Sequence, residues 1–212
     1  PNEDSLVYLK NAIDENKADF AAGFDCDADR LGILMSNGEF LSGDYILALV
    51  VHEILSNMGN KKKNIVVIND ATSNLVHEIA ENFGARIKEV EAGEINIVEE
   101  MSKLNSIVGG EGSSGGVIIP PSKCRDGILT LLMILSIVAK KQRKLEEIVK
   151  GLPKYYTLRN KIEYHDSKHN KIKNHIKDYY LSKGFEIKET GGIKGGLKAI
   201  KNRNSFAWFR AS

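Results

Sequence analysis

Two cysteines, one tryptophan and four prolines are all that these 212 residues contain of those types. Two cysteines cannot build a disulfide framework, and Cys26 and Cys124 stand in unrelated contexts without metal-ligand spacing. Both are expected as free thiols in a reducing cytoplasm. A transmembrane span is also missing. The most apolar run, 128–139, is interrupted by Thr130 and Ser136, whereas a spanning helix needs about 20 apolar residues. No signal-peptide pattern is visible. Charge of one sign is lacking too: 30 basic residues face 28 acidic ones, well mixed, for a net of +2. That balance gives no general argument for nucleic acid or an anionic membrane, and neither is expected as a partner. What the chain does have is 42% hydrophobic residues, enough to bury a core, and a length suited to one or two domains. It begins at Pro1 and enters a helix-like segment at once, so it is expected to be a piece of a longer protein.

Periodicity predicts a helix over 5–16, with Leu6, Leu9 and Ile13 on one stripe, and a short buried strand over 20–24. Asn37-Gly38 signals the tight turn of a hairpin over 33–41. Asp44 is the expected cap of a buried helix over 45–57, closed by Gly59 and a solvated turn at Lys61-Lys62-Lys63. Strands at 65–68, 85–90 and 106–108 then alternate with helices at 73–83 and 95–104. Such alternation argues for an α/β fold with a mixed, largely parallel sheet flanked by helices. A further strand at 117–119 and helices at 126–140 and 145–150 complete that unit. Gly151-Leu152-Pro153 marks a boundary. Beyond it a truncated α+β domain is expected: strands at 155–164 and 185–189, a helix over 167–183, a glycine-rich turn over 191–196, and paired strands at 197–201 and 206–209. His165 and His169 have helical metal-ligand spacing but no third ligand follows, so they are read as surface histidines rather than a zinc site.

Chemistry concentrates first in Asp25-Cys26-Asp27-Ala28-Asp29-Arg30, directly after the first strand. Three carboxylates this close repel one another and raise one another's pKa unless a cation intervenes. A hard dication with oxygen ligands removes that cost, and Mg²⁺ is the usual occupant where phosphate shares the site. An EF-hand is excluded, because its sixth and twelfth positions would fall on Arg30 and Ser36. A haloacid-dehalogenase-type pattern fits poorly, because Asp29 stands where a small residue would follow the aspartate pair. The second stretch, Gly109-Gly110-Glu111-Gly112-Ser113-Ser114-Gly115-Gly116, follows a buried strand, where open sheets bind ligands. Its carboxylate suits vicinal hydroxyls of a sugar and repels phosphate, and no phosphate-loop lysine is present.

The acidic stretch resembles the D-G-D-A-D-R metal loop of the phosphohexomutases, the phosphoglucomutase/phosphomannomutase family, with Cys26 in place of glycine. The glycine stretch resembles that family's G-E-x-S-G sugar loop, one residue longer, so that Ser113 or Ser114 would be the family serine. Gly93-Glu94-Ile95-Asn96 sits where the family has its specificity loop, and Lys123-Cys124-Arg125-Asp126-Gly127 resembles the segment opening the next helix. Trp208-Phe209-Arg210-Ala211-Ser212 resembles the start of the phosphate motif R-x-S-x-T-E-P. The resemblance implies that 1–42 ends a second domain, 43–150 is a third, and 152–212 is a truncated fourth.

It further implies phosphoryl transfer between C1 and C6 of a hexose phosphate, through a phosphoserine outside this chain and a 1,6-bisphosphate. Asp25, Asp27 and Asp29 would hold Mg²⁺, and Arg30 would add positive charge at the reacting centre. Glu111 with Ser113 or Ser114 would hold glucose or mannose hydroxyls, beside Glu94 and Asn96 of the specificity loop. Arg210 and Ser212 would take the phosphate not being transferred. Phosphoglucosamine mutase stays open as an alternative, as does a non-catalytic module binding sugar phosphate or a divalent cation. Lacking a phosphoryl carrier, the chain as given is expected to show no mutase activity although its central part folds. A coupled assay for glucose 6-phosphate formed from glucose 1-phosphate, with bisphosphate and Mg²⁺ supplied, checks this. Turnover abolished by Asp27→Asn would place the reacting serine within these residues.

Overall fold

The computed structural model describes residues 1–58, 63–192 and 194–211. Gly59, Lys61, Lys62 and Ser212, named above, therefore lie outside the described residues. The expected first helix divides in two. Asn2 caps α1 (Glu3–Leu6) by accepting from the Ser5 N–H at 2.9 Å, and the chain turns at Val7 and Tyr8 before α2 (Leu9–Asn16). Leu6, Leu9 and Ile13 of these helices pack on a three-stranded antiparallel sheet of β1 (Phe20–Phe24), β2 (Leu31–Met35) and β3 (Phe40–Leu41). Strand side chains alternate faces. Leu34 accordingly faces α1 and α2, while Leu31, Ile33 and Met35 enter the main core. β1 was expected to be buried but is half-exposed, because it is an edge of this sheet. The Asn37-Gly38 turn forms as expected, with the Gly38 N–H donating to the Met35 carbonyl at 2.9 Å.

α3 (Gly43–Asn57) is buried along most of its length. Ser42, not Asp44, occupies its N-cap position; Asp44 lies in the first turn and serves other elements. Its Oδ1 accepts from the Ser73 N–H at 2.9 Å and its Oδ2 from Arg159 Nη2 at 2.8 Å. Burial pushes the Asp44 carboxyl up, against the pull of Arg159 and the Ser73 N–H. Next come β4 (Ile65–Asn69), α4 (Asn74–Asn82), β5 (Arg86–Val90), α5 (Glu94–Leu104), β6 (Val108–Gly110) and β7 (Val117–Ile118). β4 pairs in parallel with β5 and β6, β7 runs antiparallel to β6, and the order is β5-β4-β6-β7. This is the mixed, largely parallel sheet that the alternation of elements predicts. Val66 and Ile68 of β4 join α3, α4, α6 (Gly127–Lys141) and α7 (Leu145–Lys150) in the larger core. Ile65 and Val67 point the other way, onto Ile97 and Met101 of α5. Because β4, β5 and β6 run the same way, the loops after them meet at one edge of the sheet.

The expected strand at 155–164 does not form. Its alternate apolar residues have no sheet to cover them: Tyr156, Leu158 and Ile162 are all largely exposed. The segment is tethered at its start instead, where Tyr155 N–H donates to Tyr45 Oη at 3.0 Å and Tyr155 Oη to Glu78 at 2.8 Å. Burial and the adjacent Glu78 push the Tyr155 hydroxyl up to about 12. After a single 3-10 turn, α8 (His169–Ser182) packs on an antiparallel sheet of β8 (Glu186–Glu189), β9 (Leu197–Asn202) and β10 (Ser205–Phe209), in the order β10-β9-β8.

This second unit meets the first through polar groups. Lys198 pairs with Glu89, Arg203 with Glu81, and Thr190 donates to Asp70. Burial opposes ionisation of Glu89, yet the hydrogen bonds and charges of His77 and Lys198 prevail and hold its carboxyl at about 2. A carboxyl depressed by folding contributes stability that is complete above its unfolded value and is lost as pH falls through its folded one. For Glu89 that window runs from 4.5 down to about 2. Lys198→Met is expected to be less stable than the parent near neutrality and to lose less stability on acidification to about pH 3. Urea denaturation at the two pH values measures this; equal acid sensitivity of the two proteins would contradict it.

Candidate functional site

The acidic loop, 25–30, joins β1 to β2. The Ala28 N–H donates to the Asp25 carbonyl at 3.1 Å, and Ala28 takes a left-handed φ of 55° that closes the turn. Arg30 folds back over its own loop: its N–H donates to Asp25 Oδ1 at 3.2 Å, and its Nε lies 3.4 Å from Asp25 and 3.8 Å from Asp29. Slight burial raises the Asp25 pKa, but the Arg30 N–H and guanidinium and the Asp29 contact outweigh it and hold Asp25 below the ordinary value. Asp27 points into solvent.

The glycine stretch is the connection between β6 and β7, a hairpin turn lying against the acidic loop. The Leu31 N–H donates to the Ser114 carbonyl at 3.2 Å, and the Gly127 N–H to the Ala28 carbonyl at 3.0 Å. The approach excludes side chains: a Cβ on Gly116 would lie 1.9 Å from the Asp29 carbonyl oxygen, and one on Gly127 2.7 Å from that of Ala28. Glycine at these positions is what lets three backbone segments touch.

Glu111 is 8% exposed and already well coordinated. Its Oε1 accepts from Asn69 Nδ2 and from the Gly93 N–H, both at 2.9 Å, and its Oε2 accepts from Arg125 Nη1 at 2.9 Å. Thr72 backs this arrangement, donating to Asn69 Oδ1 at 2.6 Å and accepting from the Gly112 N–H at 3.1 Å. The two loop serines differ. Ser114 is buried and its hydroxyl donates to the Glu111 carbonyl at 3.1 Å, whereas Ser113 is exposed. Glu94 opens α5, and Asn96 donates weakly to the Glu91 and Ala92 carbonyls at 3.3 and 3.4 Å.

Arg125 ties these parts together. Its Nη2 contacts Asp29, its Nη1 Glu111, and its Nε lies 3.0 Å from Glu94 Oε2. The Arg125 N–H also donates to Glu94 Oε1 at 3.1 Å. One guanidinium thus meets a carboxylate from each of three loops. Sequence reasoning identified those carboxylates but gave Arg125 no role beyond opening a helix. The available signal was charge balance: the acidic loop, the glycine stretch and the 93–96 loop hold five carboxylates against Arg30 alone, and crowded carboxylates need further cations. Asn69 and Thr72 were missed as well, although they stand at the carboxyl end of β4.

Arg210 is exposed and donates to the Ala92 carbonyl at 2.9 Å, which puts it beside the loop that carries Glu94. Ser212 lies outside the described residues. The two histidines part company. His165 is an exposed turn residue, but His169, expected at the surface, is 3% exposed, hydrogen-bonded to Tyr164 and stacked on Phe209. Its place on the inward face of α8, against the sheet, accounts for the difference.

Among the described residues, no three His, Cys, Asp or Glu side chains converge as a metal site. The donor chemistry of the acidic loop nonetheless suits a hard dication, since Asp25, Asp27 and Asp29 all offer carboxylate oxygens. In this arrangement arginines neutralise Asp25 and Asp29.

Residues 42–156 match the family model described as phosphoglucomutase/phosphomannomutase, alpha/beta/alpha domain III. A phosphoglucomutase/phosphomannomutase of Thermococcus kodakarensis is 33% identical over 92% of this chain and 42% of its own length. A probable phosphoglucosamine mutase of Pyrococcus horikoshii is 32% identical over 100% of this chain and 46% of its own length. The chain thus spans less than half the length of the curated relatives it matches. Among solved structures, the Paramecium phosphoglucomutase pp63/parafusin, in its open form, superposes with a TM-score of 0.75 at 22% identity, covering 99% of this chain and 42% of that one. A putative phosphomannomutase from Thermus thermophilus gives 0.69 at 23% identity, over 100% of this chain and 44% of that one. These structural likenesses establish the fold.

The backbone contact between the loops has a measurable consequence. Gly116→Ala is expected to destabilise the chain by about 1–3 kcal/mol, as overpacking against fixed backbone does. Gly192→Ala, whose Cβ would meet nothing within 4 Å, is expected to be neutral. Urea denaturation of both variants checks the pair, and equal stability of the two would show that the loops can separate at little cost.

Proposed function

This chain belongs to the phosphoglucomutase/phosphomannomutase family, and on that footing we propose that it is the metal- and sugar-binding portion of a phosphohexomutase. The proposed reaction moves a phosphoryl group between C1 and C6 of a hexose phosphate, through a 1,6-bisphosphate and a phosphoserine outside residues 1–212. We divide the chain accordingly into the end of a second domain (1–42), a third domain (43–150) and a truncated fourth (152–212). The observation that supports this reading best is the contact of Arg125 with Asp29, Glu94 and Glu111, three motif residues distant in sequence.

In this reading Asp25, Asp27 and Asp29 hold Mg²⁺. The bound cation would neutralise charge on the transferring phosphoryl oxygens. Arg30, with its guanidinium half-exposed, supplies positive charge on the same side of the loop. Glu111 receives sugar hydroxyls through Oε2, because Oε1 already accepts two protein hydrogen bonds. Ser113 is the loop hydroxyl open to a ligand, since that of Ser114 is engaged with backbone. Glu94 and Asn96 border the sugar, and Arg210 with Ser212 takes the distal phosphate. The substrates are glucose or mannose phosphates, and we place the protein with them in the cytoplasm. No described helix is long and apolar enough to cross a membrane. Relatives named phosphoglucosamine mutase, at 30–34% identity, support glucosamine phosphate as the alternative substrate.

Glu111→Ala tests the sugar assignment. In the enzyme completed with its serine-bearing part, catalytic efficiency is expected to fall about a hundredfold, because a charge-assisted hydrogen bond contributes about 1.5–3 kcal/mol. Steady-state kinetics with glucose 1-phosphate and glucosamine 6-phosphate, on variant and parent, also separates the two substrates. Efficiency within a few-fold of the parent, in a folded protein, would exclude Glu111 from sugar binding.

A further inference from the structure

Asp29 has two oxygens, and each faces a different arginine. Oδ1 lies 3.8 Å from Arg30 Nε, at the exposed side of the loop, while Oδ2 meets Arg125 Nη2. The two arginines are not equivalent. The Arg30 side chain is 53% exposed, so water screens its charge, whereas that of Arg125 is 12% exposed and its planar fork is filled by carboxylates. Its Nε–H is buried without an aligned hydrogen bond, so Glu94 is met there as a charge alone. Around Arg125 one positive charge therefore stands against three negative ones, in partial isolation from solvent.

We propose that Arg125 is a positioning residue that serves as internal counter-ion to the acidic loop and competes with a divalent cation for Asp29. The inference rests on the reading of 25–30 as the cation site. A cation ligated through Oδ2 meets the positive charge of Arg125 Nη2 at the same oxygen and displaces it. The released guanidinium keeps its contacts with Glu94 and Glu111, so release is local and leaves the loops after β5 and β6 tied to each other. It also changes the charge that Glu111 Oε2 experiences, at the oxygen assigned to the sugar. Cation loading and the sugar-binding carboxylate are thereby coupled through one side chain, and such coupling is reciprocal.

Mn²⁺ is the probe, with free ion counted by electron paramagnetic resonance during titration of the 212-residue chain. Arg125→Met, which keeps the length of the side chain and removes its charge, is expected to bind Mn²⁺ about five- to tenfold tighter than the parent. Arg125→Lys, a point charge unable to serve three carboxylates at once, is expected to fall between them. In thermal melts Mg²⁺ is expected to raise the Tm of Arg125→Met more than that of the parent, a shift that loss of packing alone would not produce. Equal or weaker Mn²⁺ binding by a folded Arg125→Met or Arg125→Lys overturns the competition. Asp27→Asn separates this from the underlying reading. If Asp27→Asn loses Mn²⁺ while Arg125→Met matches the parent, the cation site stands and the competition falls. If Asp27→Asn binds as the parent does, or no protein binds, the acidic loop is not the cation site and both fall.

Discussion

Carboxylates repel, and three loops that carry them share one edge of this molecule because the guanidinium of Arg125 stands among them. Without that charge Asp29, Glu94 and Glu111 would face one another uncompensated, on loops that only backbone contacts and the Gly93 N–H tie together. The central sheet brings two of these loops, after β5 and β6, to the same edge, since β4, β5 and β6 run in parallel, and the acidic loop of the first sheet lies against them. Glycines then permit backbone to lie against backbone between the acidic loop, the β6–β7 connection and the start of α6. The sheet sets direction, the glycines set distance, and the arginine sets charge. Each is needed by the other two.

Much of this was legible in the sequence. The alternation of strands and helices announced the parallel sheet, whose central strand β4 divides its apolar side chains between two clusters. The strand at 155–164 was misread because its polar–apolar alternation satisfies strand periodicity without revealing whether a partner strand exists. Asp44 was misread for a related reason. It precedes an apolar run, as a cap does, but its acceptors serve Ser73 and Arg159, and only the tertiary arrangement brings those groups near. Arg125 belongs to the same class. Its partners lie 96, 31 and 14 residues away, and no local pattern carries that information.

The two units of the chain are joined on different physical terms from those that hold each one together. Within the α/β unit apolar side chains dominate the buried volume. Between the units the contacts are ion pairs and hydrogen bonds, with Glu81, Glu89 and Asp70 on one side and Arg203, Lys198 and Thr190 on the other. Two buried polar atoms, Asp70 Oδ1 and Trp208 Nε1, find no protein partner there. Trp208 Nε1 flanks Gly196, where an added Cβ would come within 2.8 Å of it and 2.5 Å of the other Asp70 oxygen, Oδ2. The bonds across the boundary are direction-dependent and break discretely.

The segment between the units has its own consequence. Tyr156, Leu158 and Ile162 stand 93%, 88% and 78% exposed on backbone outside any helix or strand. A protease that cleaves after aromatic or aliphatic residues meets there exposed side chains on backbone free of any helix or strand, while the comparable residues of β4 and α3 are out of reach. Limited digestion would therefore cut first between the Tyr155 tether and α8. The two products would be about 156 and 56 residues long, and the polar contacts across the boundary would keep them together until salt or acid released the smaller one.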